Sequence, residues 1–201
     1  MLLYKKNSKI VIMLITITII LSFCIIKYCQ HHKNFEDQLI AKNFQIILSA
    51  MLSGDVITVK NQSNDLIKFG NRTPYPRLAA LFLAKLAFSN NDLDEAAKFL
   101  NLVVQRKVID PIWHIANLKL IKVLLLQNKL TEVENIKNSI EHKLPMSFAS
   151  SYQELFGDLL LAKNDKQNAN VLYLKAINNF PKQLPTTLLE LKINSTNVES
   201  N

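Results

Sequence analysis

Glycine is scarce in this sequence, with three in a chain of 201 residues. Tight turns between strands depend on glycine, and Leu, Ile, Lys, Asn and Ala are abundant here, so the composition disfavours a turn-rich β architecture. The length suffices for one domain with an additional segment, but not for two full-sized domains. We therefore expect an all-α protein.

Cysteine is rarer still, and the two cysteines lie near the N-terminus, at Cys24 and Cys29. The rest of the chain can therefore build neither a disulfide framework nor a cysteine-based metal site. The two residues are five apart on a presumed helix and point to different faces, so we do not expect an intrachain bridge.

Catalytic motifs are also missing from the sequence. It contains no Gly-rich phosphate loop, no Gly-x-Ser-x-Gly elbow and no paired acids on an apolar face. His31 and His32 are adjacent, so they point to different faces of a helix, and no carboxylate at metal-ligand spacing joins them. His114 and His142 are isolated and are expected to be surface or partly buried residues. We expect no catalytic residue, no cofactor and no metal site, and hence no enzyme.

The net charge of +8 does not indicate a nucleic-acid partner. Basic residues alternate with acids along the chain, and no Lys/Arg stripe with interleaved aromatics is present. A solvated basic surface is the interpretation that the pattern favours.

The longest apolar run extends from Ile10 to Ile26 and is bracketed by Lys9 and Lys27. At 1.5 Å per residue it would form a helix roughly 25 Å long, close to the thickness of a bilayer core. The sequence therefore predicts a cytoplasmic tail over residues 1–9 and a transmembrane helix over residues 10–26, which would contact the lipid bilayer.

A cleaved signal peptide is the alternative, because Lys5, Lys6 and Lys9 resemble the basic start of one. No Ala-x-Ala-like cleavage site follows the apolar run, so a retained span is favoured. Lysines are almost evenly distributed on its two sides, and charge alone does not decide the orientation. The short tail favours an N-terminus in the cytoplasm.

A helical connecting segment is predicted over residues 27–74, and a repeated pattern follows it. Ala96, Val133 and Ala169 lie 37 and 36 residues apart, close to the 34-residue tetratricopeptide period. Each is preceded by an apolar stretch and a polar turn. We therefore predict a short tetratricopeptide-like array of antiparallel helix pairs over residues 75–194, with a C-terminal tail over residues 195–201.

The third repeat is the most regular. Gly157 and Ala169 fall at positions where two antiparallel helices approach closely, and Tyr173, Ala176 and Pro181 follow at the spacing of the motif. Pro181 should end the second helix of the pair. A large side chain at position 157 should force the helices apart, whereas alanine is expected to be tolerated.

The other repeats depart from this pattern to different degrees. Ala84 and Ala96 occupy the close-approach positions of the first repeat, but Ile121 and Val133 occupy those of the second, so its helices should lie further apart. The segment from Pro185 to Ile193 is expected to form a helix that covers the open end of the array.

With these residues in place, the chain resembles the YfgM family of bacterial inner-membrane proteins. The similarity is strongest over Gly157 to Ala169 and over Leu191-Lys-Ile-Asn194, and it extends to Tyr75–Leu100, where the first repeat of the family would lie. It covers roughly residues 35–194.

The resemblance implies a function that spacing alone does not give. It implies a cytoplasmic N-terminus, a periplasmic body, and association with the SecYEG translocon and a membrane-anchored periplasmic prolyl-isomerase-like chaperone. The implied role is to help pass newly exported proteins to periplasmic chaperones. The alternative function is that of a tetratricopeptide scaffold for another cell-envelope assembly.

A candidate partner-binding face follows from the register of the first helix of each pair, because these helices line the concave side of such arrays. Three residues from each repeat belong to it: Leu81, Lys85, Phe88, Leu118, Lys122, Leu125, Glu154, Asp158 and Leu161. The alternative for each apolar member is ordinary packing against the N-terminal helices or the C-terminal one.

Overall fold

The computed structural model describes residues 2–70, 73–106, 108–140, 144–181 and 185–196, with side chains from residue 15 onward. Within these ranges the chain forms helices and no strands. The helices are α1 (Leu2–Ser53), α2 (Val56–Leu66), α3 (Tyr75–Ser89), α4 (Leu93–Val104), α5 (Pro111–Leu126), α6 (Leu130–Ile140), α7 (Met146–Ala162), α8 (Lys166–Asn178) and α9 (Thr187–Thr196). The predicted all-α fold is confirmed.

Aspartate side chains start four of these helices. The carboxylates of Asp55, Asp92, Asp110 and Asp165 each accept a hydrogen bond from the backbone N–H three residues ahead, at the start of α2, α4, α5 and α8. Such a cap satisfies one of the backbone donors that a helix start leaves without a partner.

One turn joins the two helices of each pair, and the three turns have the same backbone conformation. Asn91, Asn128 and Asn164 adopt positive φ angles of 58°, 57° and 65°. The residue after each asparagine donates its backbone N–H to a carbonyl five residues earlier, at 2.8–2.9 Å. This is the Schellman arrangement, which ends a helix through one left-handed residue. The polar turns recognised in the sequence therefore share one backbone structure.

The helices pack in chain order. α3 packs on α4, α4 on α5, and α7 on α8, while α5 also contacts α3 and α7. α5 and α6 share much less contact than the other two pairs, as expected from Ile121 and Val133 at their close-approach positions.

The largest core is formed by residues of the five helices from α3 to α7, and two smaller clusters flank it. On the N-terminal side, Ile40, Phe44 and Ile47 of α1 are buried with residues of α2 and α3. On the C-terminal side, Leu189 of α9 is buried with residues of α8. The expected covering helix at the end of the array is therefore α9.

The predicted transmembrane helix over residues 10–26 is not supported. In the parts of the chain that the structure describes, no helix is long and apolar enough to cross a membrane. Residues 10–14 of the predicted span lie outside the residues whose side chains the structure describes. The predicted boundaries after residues 9 and 26 both fall inside α1, which continues without a break to Ser53.

Candidate partner-binding groove

Two adjoining pockets lie between the first helices of the three pairs. The α3–α5 pocket has a volume of about 140 Å³, and the α5–α7 pocket has a volume of about 610 Å³. Lys119 and Lys122 of α5 line both, so the two pockets form one surface, which we call the inner groove.

The α3–α5 pocket combines an apolar floor with three lysines. Its lining residues are Ala84, Lys85, Phe88, Leu100, Lys119, Lys122 and Val123. The floor residues Ala84, Leu100 and Val123 are buried, whereas the Phe88 side chain remains 42% exposed. A large apolar side chain left this exposed beside a pocket is available for contact with another molecule.

The α5–α7 pocket has a more mixed lining and reaches α9. Its lining residues are Leu118, Lys119, Lys122, Leu125, Leu126, Ser151, Glu154, Leu155, Asp158, Ala162, Leu188 and Lys192. Leu126 and Leu188 are 57% and 61% exposed. The inner groove therefore offers apolar contacts and charges of both signs.

Seven of the nine residues predicted for the partner-binding face line the inner groove. Lys85 and Phe88 lie in the α3–α5 pocket, Lys122 lies in both pockets, and four lie in the α5–α7 pocket. Those four are Leu118, Leu125, Glu154 and Asp158. Leu81 and Leu161 do not line it. Leu81 packs against the main core and Leu161 against the α8–α9 cluster. Leu118 and Leu125 also pack against the main core, but they line the groove as well.

The acidic side of the groove is closed by a lysine from α9. The Lys192 ammonium donates hydrogen bonds to Glu154 at 2.7 Å and to both carboxylate oxygens of Asp158 at 2.7 and 2.8 Å. The Tyr173 hydroxyl also donates to Asp158, at 2.7 Å, and the Lys192 Nζ lies 5.5 Å from the centre of the Tyr173 ring. All four side chains therefore form one connected polar cluster.

Burial and hydrogen bonding act in opposite directions on Lys192. Burial lowers the pKa of its ammonium, but the hydrogen bonds to Asp158 and Glu154 outweigh this, and the pKa is raised. Burial, together with the bond to Asp158, raises the pKa of the Tyr173 hydroxyl. Lys192 therefore stays charged at neutral pH and offsets one of the two negative charges.

α9 is held in place by contacts on two sides of Lys192. Leu189 is 3% exposed and packs with Ala169, Tyr173 and Ala176 of α8. The Asn170 amide donates to the carbonyl of Ile193 at 3.1 Å and to the hydroxyl of Thr196 at 2.9 Å. These contacts position Lys192 against α7.

Sequence reasoning missed Lys119, Lys192 and Leu188 as groove residues. Lys119 is three positions before Lys122 on α5, so helical spacing could have placed it on the same face. No comparable signal existed for α9, because its position depends on how it packs against α8.

The histidines do not form a site in the described parts of the chain. His32 lies 3.5 Å from Glu36 one turn along the exposed face of α1. His114 is buried, stacks on Phe148 and has its Nδ1 3.1 Å from the Tyr152 hydroxyl. His142 lies outside the described residues. Among those that are described, no group of three or more His, Cys, Asp or Glu residues could hold a metal ion.

Comparison with known proteins places this geometry in a family. A family model described as a tetratricopeptide repeat-like domain matches residues 3–198. An ancillary SecYEG translocon subunit of Aggregatibacter actinomycetemcomitans is 29% identical over 134 residues, and the matched region is 67% of this chain and 64% of that relative's length. No solved structure matches the chain. The predicted resemblance is confirmed: the chain belongs to the tetratricopeptide repeat-like domain family and is YfgM-like.

Proposed function

We propose that this protein is a non-catalytic subunit that associates with the SecYEG translocon. The similarity to the translocon subunit of Aggregatibacter actinomycetemcomitans carries the proposal. The repeat architecture supports it, because stacked helix pairs provide an extended concave surface for binding other proteins. The chain spans 64% of that relative's length, and association with the translocon is therefore a proposal for this chain.

The inner groove is the proposed partner-binding face. It brings residues of three helix pairs together, and exposed apolar side chains such as Phe88 and Leu126 lie beside lysines and carboxylates. Apolar contacts with charged groups around them are the usual composition of a transient protein interface. Leu81 and Leu161 are left out of this face because neither lines the groove.

The second part of the proposal concerns what the subunit does at the translocon. The body would lie on the periplasmic side of the inner membrane and contact a membrane-anchored prolyl-isomerase-like chaperone. It would help pass newly exported proteins to periplasmic chaperones. The likeness to the YfgM family supports this role, and binding without catalysis is consistent with a groove built from repeat helices.

Photocrosslinking in cells tests both parts. A photoreactive residue at Phe88 or at Leu125 would report what contacts the inner groove, and the same residue at Leu174, which is exposed on α8, would serve as the control. Translocon components or the isomerase-like chaperone should be recovered from the groove positions and not from Leu174. Recovery of an unrelated envelope complex would support the scaffold function instead and overturn the proposal.

A further inference from the structure

The lysines of the α3–α5 pocket have no acidic partners in the described parts of the chain. Lys85, Lys119 and Lys122 are exposed, and none of them forms an ion pair with a described residue. Lys119 and Lys122 are one helical turn apart, and like charges at that spacing repel each other. This part of the groove therefore carries positive charge that the protein itself does not balance.

The carboxylates on the other side of the groove, unlike the lysines, are bound by another side chain of the protein. Glu154 and Asp158 both bind the Lys192 ammonium, and Asp158 also accepts the Tyr173 hydroxyl. The side chains of Glu154, Asp158 and Lys192 are between 22% and 25% exposed. Both carboxylates therefore share one internal cation and are partly removed from solvent, so they offer less to a basic ligand than two free carboxylates would.

We propose that the inner groove takes an acidic stretch of a partner polypeptide that also carries an apolar side chain. The apolar side chain would enter the α3–α5 pocket beside Phe88, and the partner's carboxylates would pair with Lys85, Lys119 and Lys122. Lys192 strengthens this preference, because it offsets one of the two negative charges that would otherwise repel such a ligand. The inference rests on the proposed function of the groove as the partner-binding face.

The expected binding is weak and depends on ionic strength. The lysines are exposed, so each ion pair contributes little and is screened by salt. The α3–α5 pocket admits a single apolar anchor, which limits the apolar contribution.

Two fluorescent peptides test the charge preference with the full-length protein. Both carry leucines at helical spacing; the first has glutamates at all other positions, and the second has lysines there. Fluorescence anisotropy should show the glutamate peptide binding about tenfold more tightly, and its affinity should fall as salt is added. Equal affinity for the two peptides, or an affinity for the glutamate peptide that salt does not change, would overturn the inference.

Matched variants locate the effect in the groove. A Lys85→Glu, Lys122→Glu variant should weaken binding of the glutamate peptide by about tenfold or more. A Lys98→Glu, Lys175→Glu variant makes the same change of charge at exposed positions on α4 and α8 that line neither pocket, and it should change the affinity by less than about twofold. An equal loss in both variants would mean that only net charge matters, which contradicts a groove site.

The role of Lys192 is tested by changing its partners. A Glu154→Gln, Asp158→Asn variant removes the carboxylates and leaves the Lys192 charge unbalanced, so it should bind the glutamate peptide more tightly than the wild type. Lys192→Met should weaken that peptide and strengthen the lysine peptide, while Lys192→Arg should keep the wild-type order. Circular dichroism would show whether each variant is folded, and the carboxylate variant still decides the question if Lys192→Met is not. If the carboxylate variant does not bind the glutamate peptide more tightly than the wild type, the proposed contribution of Lys192 to the charge preference is wrong.

The peptide experiment and the crosslinking experiment test different statements, so either can fail without the other. Crosslinks from Phe88 to translocon components without preference for the glutamate peptide would overturn this inference and leave the proposed function standing. Preference for the glutamate peptide with crosslinks only to an unrelated complex would support the inference and overturn the proposed function.

Discussion

Tyr173 lies directly over Gly157, and this contact makes the glycine necessary. A Cβ atom at position 157 would meet the Tyr173 Cε1 at 2.5 Å and its Cδ1 at 2.7 Å. The ring cannot easily move away, because Tyr173 is fully buried and its hydroxyl is bonded to Asp158. These distances argue against the expectation from the sequence that alanine is tolerated here: spacing identified the close approach but not how tightly the ring fills it.

Gly157→Ala should therefore lower the free energy of unfolding by roughly 1–3 kcal/mol, the usual cost of overpacking. Urea denaturation would measure the loss. Ser151→Ala changes an exposed position on the same helix and should have little effect. If Gly157→Ala were as stable as the wild type, the close contact with Tyr173 would be disproved.

The buried Arg77 depends on Asp110 for its charge balance. Arg77 is 5% exposed, and its guanidinium donates two hydrogen bonds to the Asp110 carboxylate at 2.8 and 2.7 Å. The same carboxylate caps α5 through the N–H of Trp113. Asp110→Asn should cost about 3 kcal/mol, because it leaves a buried cation without its counter-charge. Thermal denaturation would measure this, with the exposed Asp94→Asn as control.

Asp110 also predicts a loss of stability in acid. The hydrogen bonds from Arg77 hold the pKa of the Asp110 carboxyl below its ordinary value. A lowered pKa in the folded state means that the contribution to stability is present above about pH 4 and is lost as the pH falls through the folded-state pKa. Asp110→Asn should show a shallower decrease in melting temperature below pH 4 than the wild type, and parallel curves would contradict this.

Protonation of His114 should also lower the stability of the fold, but at a higher pH than protonation of Asp110. Burial lowers the pKa of its imidazole, and the nearby Asp110 charge only partly opposes this. The unfolded chain therefore binds a proton more readily than the folded one, so stability is lost as the pH falls below about 6.5. His114→Gln should flatten the melting temperature between about pH 6.5 and 5, relative to the wild type. A wild-type slope in that variant would place the effect elsewhere.

At the scale of elements, the three asparagine turns set where each helix pair bends back. Asn91, Asn128 and Asn164 have left-handed backbones, which asparagine and glycine adopt far more readily than β-branched residues. Replacing any one of them with valine should destabilise the protein by about 1–2 kcal/mol, whereas glycine should be tolerated. Chemical denaturation of both series would measure the difference. Equal stability of the valine and glycine variants would contradict a strained turn.

These turns also explain which parts of the fold could be predicted. The repeat was visible because capping aspartates, turn asparagines and small packing residues act locally, and their spacing is written in the sequence. The sequence did not show that Lys192 lines the groove or that Leu81 and Leu161 do not, because these positions depend on how the helices pack against one another.

At the scale of the whole molecule, the proposed side of the membrane can be tested directly. Protease added to intact spheroplasts should digest the helix pairs over residues 75–194 if they face the periplasm, while a cytoplasmic marker protein is spared. Immunoblotting with an antibody against this part of the chain would follow the digestion. Protection of the helix pairs until the cells are lysed would place them in the cytoplasm and contradict the proposed handover to periplasmic chaperones.

The order of packing along the chain has a consequence for how the protein forms during synthesis. Helices that share extensive contacts in the described parts of the chain are never more than two apart in sequence. Contacts of this local kind favour rapid folding, and the pairs nearer the N-terminus can pack before the later ones leave the ribosome. α9 follows α7 in the chain, so Glu154 and Asp158 lack their Lys192 partner until α9 has been made. The groove should thus acquire the charge of Lys192 only after α7 has formed.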